Sequence, residues 1–475
     1  MLFPTVSFVL FFAAVLVAAW ATSARPRLHK LVLVAAAAVF AAWWDLRLPA
    51  LLAGVVVATW LVARYAARAC GPARRWLIAA GIAADLAVLG FFKYYDFFTE
   101  AVTSGLAQVG LTVHAPVLSI LLPLGISFYT FEAIAHLVDV GRGRVGAASL
   151  LDTAAWLTFF PTLGSGPITR SAELLPQLAS GPDRSHVQTD RAFVLLARGL
   201  LKKLVVASFL ATAITDGVFA DPAHYNSAVL LLGVYAYAAQ IYADFSGYTD
   251  MAIGIALLLG YRVPENFDRP YTATSVQDFW SRWHMTLSRW LRDYLFAPLT
   301  GRRSDRPLRV YAGVVLVMLL AGLWHGAAWT FVAFGGVHGL AMAWERYRRV
   351  RRRAHRRPPA ARTRLRLALG RLTTFHIVCL GWVFFAAPSL AGAGRLLSGL
   401  ATQWGRPVTS VTPLLVLTIA GVVAVQFVTR DLTGRLAAHA ASLRPAAQAL
   451  AFAAATVVVL ALAPTTVPAF IYFRF

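Results

Sequence analysis

Histidines that could carry out acid–base chemistry occur in two segments that are otherwise rich in apolar and aromatic residues. The segment "GLWHGAAWTFVAFGGVHG" (322–339) contains His325 and His338, and "DFWSRWHMTLSRWLRDYLFAPL" (278–299) contains His284. Imidazole titrates near neutral pH, so a histidine in an apolar setting can take a proton from a hydroxyl as a general base. The pattern therefore indicates proton transfer away from bulk water.

These histidines differ in what their neighbours predict. His325 lies between two apolar runs with glycines nearby ("GLWHGA"), and an ionisable group at membrane depth predicts a function. His284 stands among tryptophans, where a histidine ordinarily donates a hydrogen bond that holds a ring or a carbonyl. Its neighbours in the sequence therefore do not decide between a structural and a catalytic role. His338 follows His325 by thirteen positions. On a continuous helix that spacing gives roughly 20 Å of rise and about 220° of rotation, so we interpret His338 as structural.

Other catalytic and metal-binding patterns are missing from the sequence. It contains no H-E-x-x-H, no G-x-S-x-G and no P-loop, and its two cysteines, Cys70 and Cys379, cannot make a zinc site alone. We therefore expect neither a metal ion nor a bound cofactor.

Composition predicts the class of protein that must position these histidines. Apolar residues make up 59% of the chain, charged residues 14%, and the mean hydropathy is +0.65. Apolar runs long enough to cross a bilayer recur along the chain, which predicts an all-α polytopic membrane protein. We expect roughly eleven or twelve transmembrane helices in a single integral-membrane domain covering residues 1–475.

The net charge of +23 is not a sign of nucleic-acid binding, because the basic residues cluster between hydrophobic runs. The clusters at 25–30, 64–75, 141–144 and 346–371 are typical of cytoplasmic loops, with the N-terminus outside. For the segment 346–371 we favour topology and contact with anionic membrane lipids. Recognition of a phosphate-bearing cytosolic donor is the alternative.

The region 117–345 differs from the ends of the chain because Gly, Pro, Trp, His and charged residues interrupt its apolar runs. Irregular backbone at membrane depth is tolerated only where protein buries it or water lines it, so we expect a central cavity. The segment 278–299 reads as a re-entrant or interfacial helix. Within this region we expect four polar residues to pair and hold the irregular backbone: Asp244, Asp250, Asn266 and Arg282.

Several motifs together resemble one family. They are "LLPLGISFYTFEAIAHLVDVGRG", "FFPTLGSGPITR", "ARGLLKKLVVA", "DFSGYTDMAIGIALLLGYRVPENFDRPY", "DFWSRWHMTLSRWLRDYLFAPL", "AGLWHGAAWTFVAFGGVHGL" and the terminal "FIYFRF". In this order they resemble the membrane-bound O-acyltransferase (MBOAT) family, and within it the bacterial branch that O-acetylates alginate. The resemblance covers most of 91–345 and the C-terminal tip.

The resemblance implies an MBOAT fold with a central funnel, in which His325 is the catalytic residue and His284 the second active-site position. It implies an O-acyltransferase, acting as an O-acetyltransferase, in the bacterial cytoplasmic (inner) membrane. The acyl donor would be a cytosolic thioester, acetyl-CoA, and the acceptor a cell-surface or secreted polysaccharide. An extracytoplasmic SGNH-type acetyltransferase and the polysaccharide synthesis machinery would be its partners.

The C-terminal tip, residues 470–475, fits the pattern Phe-x-Tyr-x-x-Phe. It resembles a C-terminal motif of bacterial acylation machineries, which implies that Tyr472 carries the acyl group. The alternative for Tyr472 is an aromatic anchor at the membrane interface.

Two other functions remain open at this point. A transporter or flippase could move an acylated carrier or a glycan through the same opening without making or breaking a bond. An O-acyltransferase acting on a lipid or sterol would use the same chemistry on another acceptor.

Overall fold

The structure is a computed structural model that describes residues 3–113, 118, 122–182, 187–301, 306–355, 363–408, 411–428, 432–464 and 471. Throughout these residues every regular element is a helix. The α-helices are α1 Val6–Ala21, α2 Pro26–Ala42, α3 Leu48–Arg68, α4 Gly71–Leu89, α5 Tyr95–Gln108, α6 Ile126–Gly141, α7 Leu150–Leu157, α8 Phe160–Leu163, α9 Ser171–Ser180, α10 Thr189–Leu200, α11 Ser208–Leu210, α12 Asp216–Ala220, α13 Ser227–Leu258, α14 Val276–Trp280, α15 Met285–Trp290, α16 Ala297–Thr300, α17 Pro307–His325, α18 Trp329–Ala354, α19 Arg364–Ala386, α20 Leu390–Thr402, α21 Pro413–Ala424, α22 Leu432–Ala441 and α23 Pro445–Leu462.

Tighter and wider helical segments continue or connect several of these helices. Wider, π-helical segments are Gly90–Tyr94, Leu201–Ala207, Ala211–Thr215 and Leu291–Phe296, and 3₁₀ turns are Pro222–His224, Pro270–Thr272 and Val425–Phe427. Departures of this kind are common next to functional sites.

Five helical stretches are long and apolar enough to cross a membrane: Leu48–Arg68, Gly71–Gln108, Ser227–Leu258, Pro307–His325 and Arg364–Ala386. Three shorter apolar helices accompany them, at Val6–Ala21, Pro413–Phe427 and Ala446–Leu462. The prediction of an all-α polytopic membrane protein is confirmed. The expected number of crossings, and which loops face the cytoplasm, stay predictions.

The chain folds into two compact units, each built from segments that are not contiguous in sequence. The first contains Met1–Ala192 and Met251–Pro264, and the second contains Phe193–Asp250 and Glu265–Phe475.

In the first unit, buried side chains stabilise the irregular segment that follows α8. Glu132 of α6 accepts the backbone N–H of Thr169 at 2.7 Å, and the indole N–H of Trp156 donates to the carbonyl of Thr169 at 3.0 Å. His136, also on α6, lies 2.9 Å from the hydroxyl of Ser171 at the start of α9. These contacts satisfy backbone and side-chain groups that lipid could not solvate.

The second unit contains a helical hairpin that positions His325. Helix α17 ends at His325, and α18 begins shortly afterwards at Trp329. Glycines set the separation of the two helices, because a Cβ on Gly322 would lie 2.1 Å from the carbonyl oxygen of Phe331, and one on Gly335 would lie 2.1 Å from that of Met318. Positions late in α17 thus meet positions early in α18, so the helices run antiparallel. The glycines of the 322–339 segment allow this close backbone approach.

Replacing Gly335 by alanine should destabilise the hairpin, because the new methyl group would collide with backbone rather than with a flexible side chain. Overpacking of this kind costs about 1–3 kcal/mol. The neighbouring Gly336 is the matched control, since the nearest atom to its Cβ is a leucine methyl 3.7 Å away. In detergent, Gly335→Ala should unfold at a lower temperature than wild type and Gly336→Ala should not. Equal thermal stability of the two variants would contradict this packing.

Candidate active site

His325 occupies the last position of α17 and is 3% exposed. The helix stops there because Gly326 adopts an extended conformation (φ −160°, ψ 149°), and its N–H still bonds to the carbonyl of Gly322. A Cβ on Gly326 would lie 2.0 Å from the ring of Phe331, so a larger residue would displace that ring. The carbonyl end of a helix favours a nearby positive charge, which a histidine acquires when it takes a proton.

Aromatic rings surround the His325 imidazole. Its ring centroid lies 5.0 Å from that of Trp324, 5.8 Å from that of Phe334 and 5.3 Å from that of Phe385, all edge to face. Phe385 belongs to α19, so three helices hold the ring. This packing fixes the position of the imidazole and keeps water away from it.

His284 joins α14 to α15 in a left-handed conformation that is uncommon for residues other than glycine. It has φ 43° and ψ 54°, and in the described parts of the chain only it and Arg269 have a positive φ without being glycine. Such a conformation costs of order 1–3 kcal/mol and persists where the surrounding structure imposes it. His284 is fully buried and lies outside the five membrane spans, and this burial lowers the pKa of its imidazole to about 3. The ring is therefore neutral at physiological pH.

Asn266 determines which nitrogen of His284 carries the proton. The Oδ1 atom of Asn266 accepts the backbone N–H of Thr286 at 3.2 Å and the Thr286 hydroxyl at 2.9 Å. Nδ1 of His284 lies 3.2 Å from the same oxygen. Because an amide oxygen can only accept, Nδ1 carries the hydrogen, and Nε2 of the neutral ring is an acceptor.

The fold brings His284 and His325 close together, as the resemblance implied. Their ring centroids are 6.4 Å apart, and Trp324 contacts both rings. Phe245 of α13 packs edge to face on His284 with centroids 4.8 Å apart. Two buried imidazoles at this distance can belong to one site.

His338 lies elsewhere, although the reason given by a continuous helix is wrong. The turn after α17 breaks that helix, and the ring of Phe334 contacts both His325 and His338, with centroids 5.8 and 4.8 Å away. The indole N–H of Trp280 donates to Nδ1 of His338 at 3.3 Å. His338 thus packs against α14, which agrees with a structural role.

Polar residues around the site pair with one another, as predicted. On α13, Asp244 pairs with Lys203 at 2.5 Å, and Asp250 pairs with Arg198 and, at 2.8 Å, with Lys202. In the irregular segment between α13 and α15, the Nε of Arg282 donates to Asp278 at 2.7 Å, and the carbonyl of Asn266 accepts the N–H of Met285 at 3.0 Å. The last contact fixes the backbone next to His284.

The contribution of α19 was not foreseen from the sequence, which placed the functional core at 117–345. Besides Phe385, Trp382 packs in this region, with centroids 5.4 Å from Phe334 and 6.5 Å from His338. The only signal was the aromatic run "GWVFF" at 381–385.

Tyr472 lies outside the described residues, as do Phe470, Phe473 and Phe475. The neighbouring Ile471 is described: it is 5% exposed, and its N–H donates to Asp244 at 2.9 Å. Over the part of the chain that the structure describes, no group of three or more His, Cys, Asp or Glu side chains could hold a metal ion.

The chain is similar in sequence to several known proteins. The chain is 40% identical over 382 residues to a protein named probable alginate O-acetylase AlgI from Azotobacter vinelandii, covering 79% of this chain and 73% of that protein. It is 36% identical over 408 residues to the peptidoglycan O-acetyltransferase of Helicobacter pylori, covering 79% and 74%. It is 29% identical over 281 residues to the teichoic acid D-alanyltransferase of Streptococcus thermophilus, covering 55% and 68%.

A family model also matches most of the chain. The family model for the membrane-bound O-acyltransferases matches residues 31–384, a range that contains His284, His325 and most of α19. With its apolar helices and its buried histidine pair, the chain belongs to the membrane-bound O-acyltransferase family and is a multi-pass membrane O-acyltransferase.

Proposed function

We propose that this enzyme takes an acetyl group from a cytosolic thioester and passes it across the bacterial inner membrane for O-acetylation of a cell-surface or secreted polysaccharide. The observation that carries the proposal is the buried pair His325–His284, held by aromatic rings and by Asn266. The names of two relatives, an alginate O-acetylase and a peptidoglycan O-acetyltransferase, support an acetyl group and a glycan acceptor.

His325 is the general base in this proposal. It takes the proton of the attacking hydroxyl while the hydroxyl oxygen forms a bond to the thioester carbonyl carbon. The carbon–sulfur bond then breaks, and the leaving thiolate takes the proton back from the imidazolium. Since α17 ends at His325, its carbonyl end stabilises the imidazolium that forms between the two steps.

Two roles are open to His284 in this proposal: orienting the donor carbonyl, or fixing the neutral tautomer of His325. Orienting a carbonyl oxygen requires a hydrogen-bond donor, and Asn266 already accepts the Nδ1 hydrogen of His284. The remaining nitrogen, Nε2, can only accept. This geometry supports the second role, in which Nε2 of His284 accepts a hydrogen bond and so helps to fix the neutral tautomer of His325.

We propose that Tyr472 is the hydroxyl that receives the acetyl group first. A phenol has a usual pKa of about 10, so it is easier to deprotonate than a sugar hydroxyl and leaves more readily afterwards. An acyl-tyrosine would supply an acceptor outside without the donor crossing the membrane. An extracytoplasmic SGNH-type acetyltransferase would collect the group and deliver it to the polymer made by the synthesis machinery.

Acetyl-CoA is the proposed donor, because the described part of the basic segment suits a nucleotide thioester. Trp344 and Tyr347 of α18 stack with ring centroids 5.5 Å apart, beside several arginines of the same helix face. Aromatic faces and guanidinium groups bind purines and phosphates. The residues that line this open pocket are Trp344, Tyr347, Arg348, Arg351, Arg352 and His355.

Replacing His325 by glutamine should remove the base while keeping a polar side chain of similar size. Polymer acetylation should fall by at least about 10²-fold, the usual contribution of one general base, while the protein accumulates normally in the membrane. Ester-linked acetate on isolated polysaccharide, measured beside a membrane immunoblot, tests this. The matched control is His439→Gln on exposed α22, which should acetylate normally. A transporter that makes and breaks no bond would tolerate His325→Gln, so retained acetylation would overturn the catalytic role.

Replacing Tyr472 by phenylalanine removes only the hydroxyl and keeps the aromatic ring. If Tyr472 carries the acetyl group, this variant should lose polymer acetylation nearly as completely as His325→Gln, at unchanged membrane level. The control is Phe473→Leu in the same tip, which should acetylate at close to the wild-type level. Wild-type acetylation by Tyr472→Phe would show instead that the tip is an interfacial anchor.

A further inference from the structure

The backbone N–H of Ile471 is buried and donates a hydrogen bond to a carboxylate of α13. It donates to Oδ2 of Asp244 at 2.9 Å, and Oδ1 of the same carboxylate pairs with the ammonium of Lys203 at 2.5 Å. Ile471 is 5% exposed, and the side chains of Lys203 and Asp244 are 7% and 6% exposed. A backbone donor buried this deeply needs an acceptor, and Asp244 supplies it.

The second buried carboxylate of α13, Asp250, has different partners among the described residues. Asp250 accepts Nε of Arg198 at 2.8 Å and the ammonium of Lys202 at 2.8 Å, together with a further bond from Arg198. Two basic side chains thus hold Asp250, whereas Asp244 binds Lys203 and a backbone N–H of the C-terminal tip. Both carboxylates join α13 to the basic stretch 198–203, but Asp244 also holds the tip.

The tip and the active-site histidines contact consecutive residues of α13. Asp244 binds Ile471, and the next residue, Phe245, packs on the ring of His284 with centroids 4.8 Å apart. His284 in turn lies 6.4 Å, centroid to centroid, from His325. Consecutive residues of α13 therefore contact Ile471, which precedes Tyr472, and His284, one member of the histidine pair.

We propose that the Lys203–Asp244 ion pair is a docking point for the C-terminal tip at Ile471, and that Asp244 is a positioning residue for the reaction of Tyr472 with the His284–His325 pair. Lys203 keeps the Asp244 carboxylate in place, and the carboxylate fixes the backbone of Ile471. The positioning part rests on the proposed role of Tyr472, while the docking itself does not. A hydrogen bond from a neutral donor to a charged acceptor accounts for a change on the order of tenfold to a hundredfold in the docking equilibrium.

Two double variants distinguish docking of the tip from a purely structural role of the Lys203–Asp244 pair in joining helices. Lys203→Met with Asp244→Asn leaves a neutral site that retains an oxygen to accept the Ile471 N–H. Lys203→Met with Asp244→Leu leaves a neutral site of similar volume without that oxygen. Neither leaves a buried unpaired charge, and apolar replacement of a buried ion pair is often tolerated, so both are expected to fold. A purely structural pair would affect both variants alike.

Docking is measured without reference to activity, through a cysteine at position 471. In an Ile471→Cys, Cys70→Ser background, the exposed native thiol is gone and the remaining Cys379 is buried. Maleimide labelling of the purified protein should be slow with the native Lys203–Asp244 pair and in the Asn double variant, and about tenfold or more faster in the Leu double variant. Equal labelling rates of the two double variants would overturn the docking.

Polymer acetylation, measured with Ile471 and Tyr472 intact, tests the positioning. The Leu double variant should lose most acetylation, and the Asn double variant should keep most of it. Fast labelling of position 471 together with unchanged acetylation in the Leu double variant would overturn the positioning role. If Tyr472 does not carry the acetyl group, the results differ from these. Tyr472→Phe would then acetylate normally, while the labelling rates at position 471 would still differ between the two double variants.

Discussion

The site depends on the close backbone approach of α17 and α18. Gly322 and Gly335 let the two helices pack at a distance that any Cβ would prevent, and Gly326 turns the chain immediately after His325. The turn leaves His325 at the carbonyl end of a helix, between rings from its own helix, from α18 and from α19. These apolar surroundings exclude water from the His325 imidazole, which exchanges a proton in the proposed mechanism.

A second constraint is that buried polar groups need partners. Each of the buried carboxylates Asp244 and Asp250 has a basic partner on the neighbouring stretch 198–203, and Asn266 satisfies His284 and Thr286 together. Leaving such groups unpaired in a low-dielectric interior would cost several kcal/mol each. The same pairing fixes the tautomer of His284 and, through Asp244, the backbone of Ile471. The same residues therefore supply partners for buried polar groups and fix the backbone and side chains of the candidate site.

The sequence predicted the all-α membrane class, and its resemblance to the MBOAT family is confirmed by the family match. Pairing of Asp244 and Asp250 was predictable too, because buried carboxylates in an apolar helix need cations. The break after His325 was not, since "AAW" continues a helix well, and the contact between Gly326 and the ring of Phe331 appears only in the folded chain. The His284–Asn266 contact and the bond from Ile471 to Asp244 join residues 18 and 227 positions apart, and no local pattern encodes such contacts.

The most direct test of the account is whether His325 moves an acetyl group from a thioester onto the chain's own tyrosine. Purified protein would be incubated with acetyl-CoA carrying an isotopically labelled acetyl group, digested, and its C-terminal peptide analysed by mass spectrometry. The account predicts labelled acetyl on Tyr472 in wild type and in His439→Gln, and none in His325→Gln. Labelled acetyl on Tyr472 at the wild-type level in His325→Gln, or its absence from wild type, would contradict the account.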